Sequence, residues 1–274
     1  MRIIEPSLTP EILNVIKENA VGTAEAYKVN SYRQLVEQVA KLSYFNKDHL
    51  LFFRGQDKDY KNKAGASTFY PSIYRGDYLP RDKIQFQFNI LKQASKLLVN
   101  KFENEKIEGH QEVKRKKYIQ WSIIQHYGVC ATPFLDFTQS VRVACSFAQL
   151  NEDDKNGYVY IFGLPYVTNR ISVNSEHDIV NVRLLSICPP DALRPYFQDG
   201  YLAATEDIAA EYDSKTELDF KNRLIAKFLI PNNDRFWGKG FTKIPRDVLY
   251  PRDDKVGKIC EDIKEQLKKE IFKR

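Results

Sequence analysis

The chain has 274 residues, of which 43% are hydrophobic and 13% aromatic, and this composition supports a folded core and excludes a disordered protein. Four cysteines lack CxxC spacing and four histidines lack any HExxH pattern, so we expect neither a disulfide framework nor a metal centre. The formal net charge of +6 is modest and gives only weak support to a polyanionic partner.

The N terminus lacks the apolar core of a signal peptide, and no apolar run approaches the roughly 20 residues that a membrane span needs. We therefore expect a cytoplasmic protein without membrane contact. No linker, repeat or low-complexity tract divides the chain, which predicts a single domain over 1–274. Within it we expect a helical segment at 1–46, a motif-bearing core at 50–204, and a C-terminal strand and helix at 216–274.

The first half of the chain is mainly helical in its apolar spacing. Helices are predicted at 8–20, 31–43, 84–102 and 112–126. Ser31 is a plausible N-cap for the second of them. Between the second and third helices, Leu50–Arg54 reads as a short apolar strand that ends at Gly55, and a polar loop follows at 57–68.

The second half is weighted toward strands. Strands are predicted at 134–135, 157–162, 179–187, 200–204 and 224–230. A helix rich in small residues, which permit close packing, is expected at 140–150, and an amphipathic helix at 256–272. Helices followed by a mixture dominated by strands indicate an α+β fold, in which helices pack on a short-stranded mixed sheet.

Polar side chains concentrate between the apolar runs of QHYGVCATPFLDFT, residues 125–138. Asp136 and Thr138 lie two positions apart, so in a strand they share a face. Thr138 could cap the following helix and Asp136 could stabilise its N terminus, which is itself an anion-binding site. His126 could serve as a general base, although a positioning hydrogen bond is the favoured interpretation.

Arg54 ends an apolar strand beside Gly55. A planar guanidinium can bind phosphate or carboxylate through two hydrogen bonds, and a neighbouring glycine lets a ligand approach the backbone. The alternative is a structural arginine paired with a buried acid such as Asp136. We expect Arg54 to point into the same cleft as Asp136 and Thr138.

Five motifs in this order resemble the FRG domain, a family of bacterial and phage proteins named after its Phe-Arg-Gly motif. They are Phe53-Arg54-Gly55; Tyr70-Pro71-Ser72 with Arg75-Gly76; Gln125–Gly128; Thr132–Thr138; and Arg194, Gln198, Gly200 and Tyr201. The resemblance extends from residue 50 to about residue 202.

The same order of residues resembles, in part, the ADP-ribosyltransferase superfamily. Its members bind NAD through an Arg or His on the first core strand, then carry a Ser-x-Ser/Thr-like strand end and a helix with a Phe-Ala pair, here Phe147-Ala148. The resemblance places Arg54 first, Asp136-Phe137-Thr138 second, and Gln198 where the family has a late glutamate. A glutamine cannot ionise, so a carboxylate would have to come from elsewhere.

The resemblance implies an ADP-ribosyltransferase-like core and an NAD-dependent ADP-ribosyltransferase or NAD-consuming effector, of the kind found in phage defence or toxin systems, with a protein or nucleic-acid acceptor. Catalysis would then involve Asp136, Gln198 and Glu206, or Glu211 in place of Glu206. NAD would be bound by Arg54, Gly55, Tyr70, Arg75, His126, Tyr127, Phe137 and Thr138. Among these, the rings of Tyr70, Tyr127 and Phe137 could stack on nicotinamide or adenine.

Two other classes of function stay open. A nucleotide- or nucleic-acid-binding module without catalysis would use Arg54, Arg75 and the basic stretches at 114–117 and 255–274, although solvated helix faces explain those stretches more simply. A metal-independent nuclease would act through His126 and Asp136. The chain lacks a Walker loop and the GxGxxG, GxSxG and kinase signatures, which excludes those enzyme classes.

Overall fold

A computed structural model describes residues 1–17, 19–76, 80–206 and 214–271. The strands are β1 (Tyr27–Lys28), β2 (Leu50–Gln56), β3 (Leu135–Thr138), β4 (Asn156–Leu164), β5 (Ile171–Asn174), β6 (Ile179–Arg183), β7 (Gly200–Thr205) and β8 (Leu224–Pro231). The helices are α1 (Pro10–Ile16), α2 (Tyr32–Phe45), α3 (Arg81–Asn104), α4 (His110–Arg115), α5 (Lys117–His126), α6 (Val141–Ala148), α7 (Arg194–Gln198), α8 (Arg246–Leu249) and α9 (Lys255–Ile271).

The eight strands form one sheet in the order β1-β8-β4-β2-β3-β7-β6-β5. Strands β1 and β8 are parallel, and all other neighbours are antiparallel. The predicted α+β class with a mixed sheet, an N-terminal helical segment and a C-terminal helix is therefore confirmed. Within the described ranges, no helix has the length and apolarity needed to cross a membrane.

Helix ends follow local capping chemistry more closely than the apolar spacing. Helix α2 begins after Ser31, whose hydroxyl accepts a hydrogen bond from the Gln34 amide, as predicted. The helix expected at 8–20 is shorter, since α1 begins after Thr9 and ends before a left-handed residue at Lys17 (φ 54°). Thr138 is not a helix cap, because β3 extends through it and Ser140 caps α6 instead.

Two predicted elements are interrupted. The helix expected at 112–126 divides into α4 and α5 because Lys116 is extended, with φ −118° and ψ 104°. The side chain of Gln120 donates to the Val113 carbonyl at 2.8 Å and so satisfies one of the acceptors left at the end of α4. The strand expected at 179–187 ends at Arg183, where a short 3₁₀ turn begins. The short elements β1, β5, α7 and α8 were not predicted.

The two faces of the sheet are covered differently. One face carries an aromatic layer that includes Phe52, Phe137, Tyr160, Phe162 and Tyr201. On the other face, α1, α2 and α6 pack over β8, β4 and β2, whereas α3, α5 and α9 pack over β6 and β7. The two groups of helices meet above the junction of β2 with β3, and this junction positions the candidate site.

Helix α6 approaches the sheet at two glycines. A Cβ atom on Gly55 would lie 1.8 Å from the Ala144 carbonyl oxygen, and one on Gly157 would lie 2.1 Å from that of Ala148. The expected close packing of the small-residue helix is thus confirmed. It also explains the glycine of the Phe-Arg-Gly motif, because the space beside Gly55 is filled by α6 rather than being open to a ligand.

We expect Gly55→Ala to destabilise the protein by about 1–3 kcal/mol or more, because the added methyl group collides with backbone that cannot move independently of α6. Urea denaturation measures the effect. Gly240→Ala is the matched control, since a Cβ there meets nothing within 4 Å. Equal stability of the two variants would contradict the packing argument.

The buried Arg223 ties the N-terminal residues to the sheet. Its Nε donates to the Gly163 carbonyl at 2.7 Å, and its Nη1 donates to the Arg2 carbonyl at 3.3 Å and to His177 Nδ1 at 3.1 Å. The last bond requires an unprotonated Nδ1. The ring of His49 lies edge-on to His177 at 5.8 Å. Burial, and secondarily the charge of Arg223, lower the pKa of both histidines below the ordinary 6.5.

The cluster of Arg223, His177 and His49 predicts that the protein loses stability in mild acid. Because the folded-state pKa of each histidine is lowered, the unfolded chain takes up protons first as the pH falls. The contribution is complete above about pH 6.5 and is lost as the pH falls from there through the folded-state pKa. Urea midpoints should therefore decrease as the pH is lowered through this range, and His49→Gln/His177→Gln should flatten the profile. A wild-type profile without a slope would contradict the prediction.

Candidate functional site

A cleft opens where β2 and β3 separate. Strand β2 pairs with β4 along its whole length but with β3 at one position only, Phe53 opposite Thr138. Continuing this register would pair Gly55 with Asp136. Instead, Arg54 Nη1 donates to the Asp136 carbonyl oxygen at 2.6 Å, so the guanidinium spans the gap between the strands.

The separation of the strands explains how Arg54 reaches the site. By strand alternation, Arg54 leaves β2 on the face of Phe52, whereas Thr138 shares the face of Phe53, its direct partner. The gap nevertheless lets both Arg54 and Thr138 line one cavity together with Asp136. The predicted common cleft for these three residues is confirmed.

The cleft has two adjoining compartments. The inner compartment, of about 220 Å³, is lined by Arg54, Asp136, Thr138, His126, Gln198 and Tyr250 among others. The outer compartment, of about 960 Å³, is bounded by the 57–68 loop, Tyr70, Arg75 and Lys215 among others. Arg54, Gly55 and Phe147 line both compartments.

Asp136 presents an ionised carboxylate to the inner compartment. Gln125 Nε2 donates to its Oδ2 at 2.6 Å, and His126 Nδ1 donates to its Oδ1 at 3.3 Å, while 38% of the side chain stays exposed. Burial raises the pKa of this carboxyl, but the hydrogen bonds from His126 and Gln125 and the charges of His126 and Arg54 outweigh burial and lower it. The group is therefore negatively charged at neutral pH.

A chain of hydrogen bonds orients Gln125. The hydroxyl of Thr132 donates to Gln125 Oε1, which directs the amide nitrogen toward Asp136. The amide of Thr132 in turn donates to the hydroxyl of Ser72 at 2.9 Å. Sequence reasoning did not assign Ser72, Thr132 or Gln125 to the site, although all three lie in the motifs. Three separate motifs thus meet in one network behind the carboxylate.

His126 supports Asp136 and does not face the solvent. Its side chain is 2% exposed, and its Nε2 is buried without a hydrogen-bond partner among the described residues. Gly200 makes room for the ring, because a Cβ there would lie 3.2 Å from His126 Cε1 and 2.7 Å from Leu184 Cδ1. The close approach at Gly200 is therefore made by protein side chains.

The fifth motif, which contains Arg194 and Gln198, stabilises the backbone around the inner compartment. Gln198 lines that compartment, yet its Nε2 donates to the Leu249 carbonyl at 2.8 Å. Arg194 Nη1 donates to the His126 carbonyl at 3.0 Å, and its guanidinium lies 4.6 Å from the centroid of the Tyr127 ring. Both long side chains of this motif thus hold the elements that carry the cleft.

Comparison with known families matches residues 49–157 to the FRG domain. The match covers about two fifths of the chain. The matched segment runs from β2 into β4 and includes Arg54, Ser72, Gln125, His126 and Asp136, whereas the fifth motif on α7 lies outside it. Neither the curated proteins nor the solved structures that were compared gave a match.

Two aromatic residues expected to stack on a ligand, Tyr127 and Phe137, are largely buried in the core. Tyr127 is 3% exposed, and its hydroxyl donates to Asp254 Oδ2 at 2.7 Å. The ring of Phe137 packs against Phe162 at 5.1 Å and Phe220 at 5.5 Å. Both rings are thus packed against protein, although Phe137 also lines the inner compartment.

Tyr70 and Arg75, from the second of the five motifs, line the outer compartment. Arg75 Nε donates to the Tyr70 carbonyl at 3.1 Å, and Lys215 Nζ lies 4.7 Å from the centroid of the Tyr70 ring. Tyr70 is therefore a predicted stacking residue that lies at the outer compartment, as Phe137 does at the inner one. Phe147, which lines both compartments, offers a second ring there.

Glu206 lies away from the cleft. It follows the end of β7, and its amide donates to the Asp178 carbonyl. The cleft lies at the start of that strand, near Gly200, which is roughly 20 Å away at about 3.3 Å per residue. Glu206 is not among the residues that line either compartment. Glu211 lies outside the described residues.

The basic stretch at 114–117 belongs to a solvated helix surface. Lys114 bonds Glu103 at 2.7 Å, and Lys116 bonds Glu112 at 2.8 Å. Lys117 Nζ lies 4.0 Å from the centroid of a tryptophan ring. These contacts with neighbouring side chains favour the simpler interpretation of the stretch.

Proposed function

We propose that this protein binds NAD in the cleft of its FRG domain and cleaves the bond between nicotinamide and ribose, as an ADP-ribosyltransferase or NAD-consuming effector. The observation that carries the proposal is the ionised, partly exposed carboxylate of Asp136 in the inner compartment, beside Arg54, which also lines the cation-rich outer compartment. An anionic group close to the reacting sugar and cations close to the phosphates are what this reaction requires.

The chemistry follows from charge. When the bond between ribose and nicotinamide breaks, its electron pair leaves with the nicotinamide nitrogen, which becomes neutral, and positive charge develops on the ribose. A carboxylate already held in place stabilises that charge without reorganising. Gln125 and His126 hold Asp136 in this way. Water or an acceptor nucleophile then bonds to the anomeric carbon and loses a proton.

The placement of His126 disfavours the nuclease alternative. A general base must reach the proton that it removes, but Nδ1 of His126 is bonded to Asp136 and Nε2 is buried. The binding-module alternative keeps specific support, because the two other candidate catalytic residues are poorly placed for chemistry. Gln198 bonds a backbone carbonyl, and Glu206 lies at the other end of β7.

Incubation with NAD followed by mass analysis tests the proposal. We expect release of nicotinamide, together with free ADP-ribose or an added ADP-ribosyl group on the protein or on added nucleic acid. Binding of NAD without turnover would favour the binding module. If the protein neither binds nor consumes NAD, the proposal is wrong.

We expect Arg54→Lys to lower the kcat/KM for NAD by about 10- to 100-fold although the positive charge is kept, because the planar two-pronged guanidinium is lost. Lysine also cannot span the gap to the Asp136 carbonyl with the same geometry. Arg33→Lys is the matched control, as the Arg33 side chain is 90% exposed on α2. Unchanged kinetics in Arg54→Lys would show that the guanidinium does not bind the ligand.

A further inference from the structure

The outer compartment carries an excess of positive charge. Among the described residues that line it, five are cationic and one is acidic: Arg54, Lys61, Lys63, Arg75 and Lys215 against Asp57. A concave surface lined by one sign of charge concentrates ligands of the opposite sign. The volume of about 960 Å³ is also suited to a small-molecule ligand.

One wall of this compartment is held by contacts with the Tyr70–Gly76 segment. Arg75 Nε donates to the Tyr70 carbonyl, and Lys215 Nζ donates to the Gly76 carbonyl. Burial lowers the pKa of Arg54, and the nearby charge of Arg75 lowers it further. An anion bound beside these two guanidinium groups would relieve their repulsion.

The opposite wall is the 57–68 loop, which is anchored to the sheet through the buried Asp59. Oδ2 of Asp59 accepts from Lys227 Nζ at 3.2 Å, and Oδ1 accepts from the Tyr160 hydroxyl at 3.0 Å. Lys227 Nζ also donates to the Ser67 hydroxyl at 3.0 Å. Both ends of the loop therefore bond one buried side chain, which fixes the backbone that carries Lys61 and Lys63.

We propose that the outer compartment is a diphosphate subsite, in which Arg75 and Lys215 on one wall and Lys61 and Lys63 on the other bind two linked phosphates. Arg54 lies where the two compartments meet and contacts the phosphate nearer to the ribose that carries nicotinamide. The subsite rests on the proposed function in taking NAD as its natural ligand. Its chemistry, however, is shared by ADP-ribose, ADP and inorganic pyrophosphate.

A ranking of ligands follows from the charges. The cationic nicotinamide ring reduces the negative charge of NAD, so ADP-ribose should bind the full-length protein at least as tightly as NAD does. Nicotinamide riboside, which has no phosphate, should bind much more weakly. Raising the salt concentration should weaken ADP-ribose binding, since part of the attraction is screened.

Binding of ADP-ribose and of inorganic pyrophosphate, measured by calorimetry, tests the subsite. In Arg75→Gln/Lys215→Gln we expect the affinity for ADP-ribose to fall by about 10- to 100-fold, which is the loss of charge-assisted hydrogen bonds. The charge-matched control is Lys114→Gln/Lys116→Gln, on the solvated surface where α4 meets α5, which should bind as wild type does. An equal loss in both double variants, or a loss in neither, would overturn the assignment.

A second double variant keeps the subsite testable if Arg75→Gln/Lys215→Gln does not fold. Lys61→Gln/Lys63→Gln changes the opposite wall, and a thermal denaturation curve shows whether each variant is folded. If both folded variants bind ADP-ribose as tightly as wild type does, the subsite is wrong. It is equally wrong if unmodified protein binds neither ADP-ribose nor pyrophosphate.

The subsite and the proposed function can fail separately. Nicotinamide release is measured in parallel with ADP-ribose affinity. Binding that depends on Arg75 and Lys215, without release of nicotinamide, would support the subsite and remove the enzymatic function. If nicotinamide is released but the affinity for ADP-ribose does not depend on Arg75 and Lys215, the function is supported and the subsite is wrong.

Discussion

Replacing Asp136 with asparagine should lower NAD turnover by about 10²- to 10³-fold, which is the usual cost of removing one preorganised electrostatic group from a transition state. The amide keeps the shape of the carboxylate, so NAD affinity should change much less than the rate. The lost interaction is specific to the transition state, because positive charge develops on the ribose only as nicotinamide leaves.

Single-turnover release of nicotinamide, with a separate measurement of NAD affinity, resolves the two effects. Glu206→Gln is the matched control, since it makes the same chemical change at the far end of β7 and should leave turnover unaltered. A fully active Asp136→Asn variant would remove the carboxylate from the mechanism. A loss of turnover in Glu206→Gln would mean that Glu206 reaches the cleft after all.

Replacing Lys227 with methionine should lower the free energy of unfolding by about 3–5 kcal/mol, which is typical when one partner of a buried ion pair is removed. The side chains of Lys227 and Asp59 are 2% and 7% exposed, so the carboxylate would lose its buried countercharge and keep only the half-exposed Lys61, 3.8 Å away. The Ser67 hydroxyl would also lose its bond to Lys227 Nζ.

Urea denaturation measures this loss, and an exposed pair supplies the control. Lys41→Met breaks the pair between Lys41 and Glu11, whose side chains are 48% and 40% exposed, and should change the stability far less, because exposed ion pairs are screened by solvent. Lys227→Met/Asp59→Leu removes both buried charges and should recover part of the stability. If Lys227→Met is as stable as Lys41→Met, the pair does not anchor the 57–68 loop.

The local sequence determined the type of most elements and the face that each buries. Apolar spacing placed α2, α9, β4 and β8 within a few residues of their observed ends, and Ser31 marked the start of α2 correctly. These features depend on neighbouring residues and on the helix and strand periods, which can be read directly from the chain. Short elements such as β1 and β5 gave too few residues for a period to appear.

The sequence also brought the residues of the candidate cleft together, although β2 continues past the expected end at Gly55 to Gln56 and Asp136 lies within β3. Arg54 and the segment from Asp136 to Thr138 were expected to share a cleft, and they do. That expectation was possible because polar residues that interrupt apolar runs mark strand ends, where sites form. Tyr127 and Phe137 show the limit of this reasoning, because an aromatic residue in a motif can serve the core as readily as a ligand.

Only the tertiary structure decided which groups meet. The bond from Arg54 to the Asp136 carbonyl joins positions 82 apart, and the bond from Asp59 to Lys227 joins positions 168 apart. The need for glycine at position 55 is also a tertiary effect, because α6 crosses the strand there. A side chain's own neighbours set its local conformation, but its long-range partners depend on how separate elements pack, and no local pattern in the sequence records that packing.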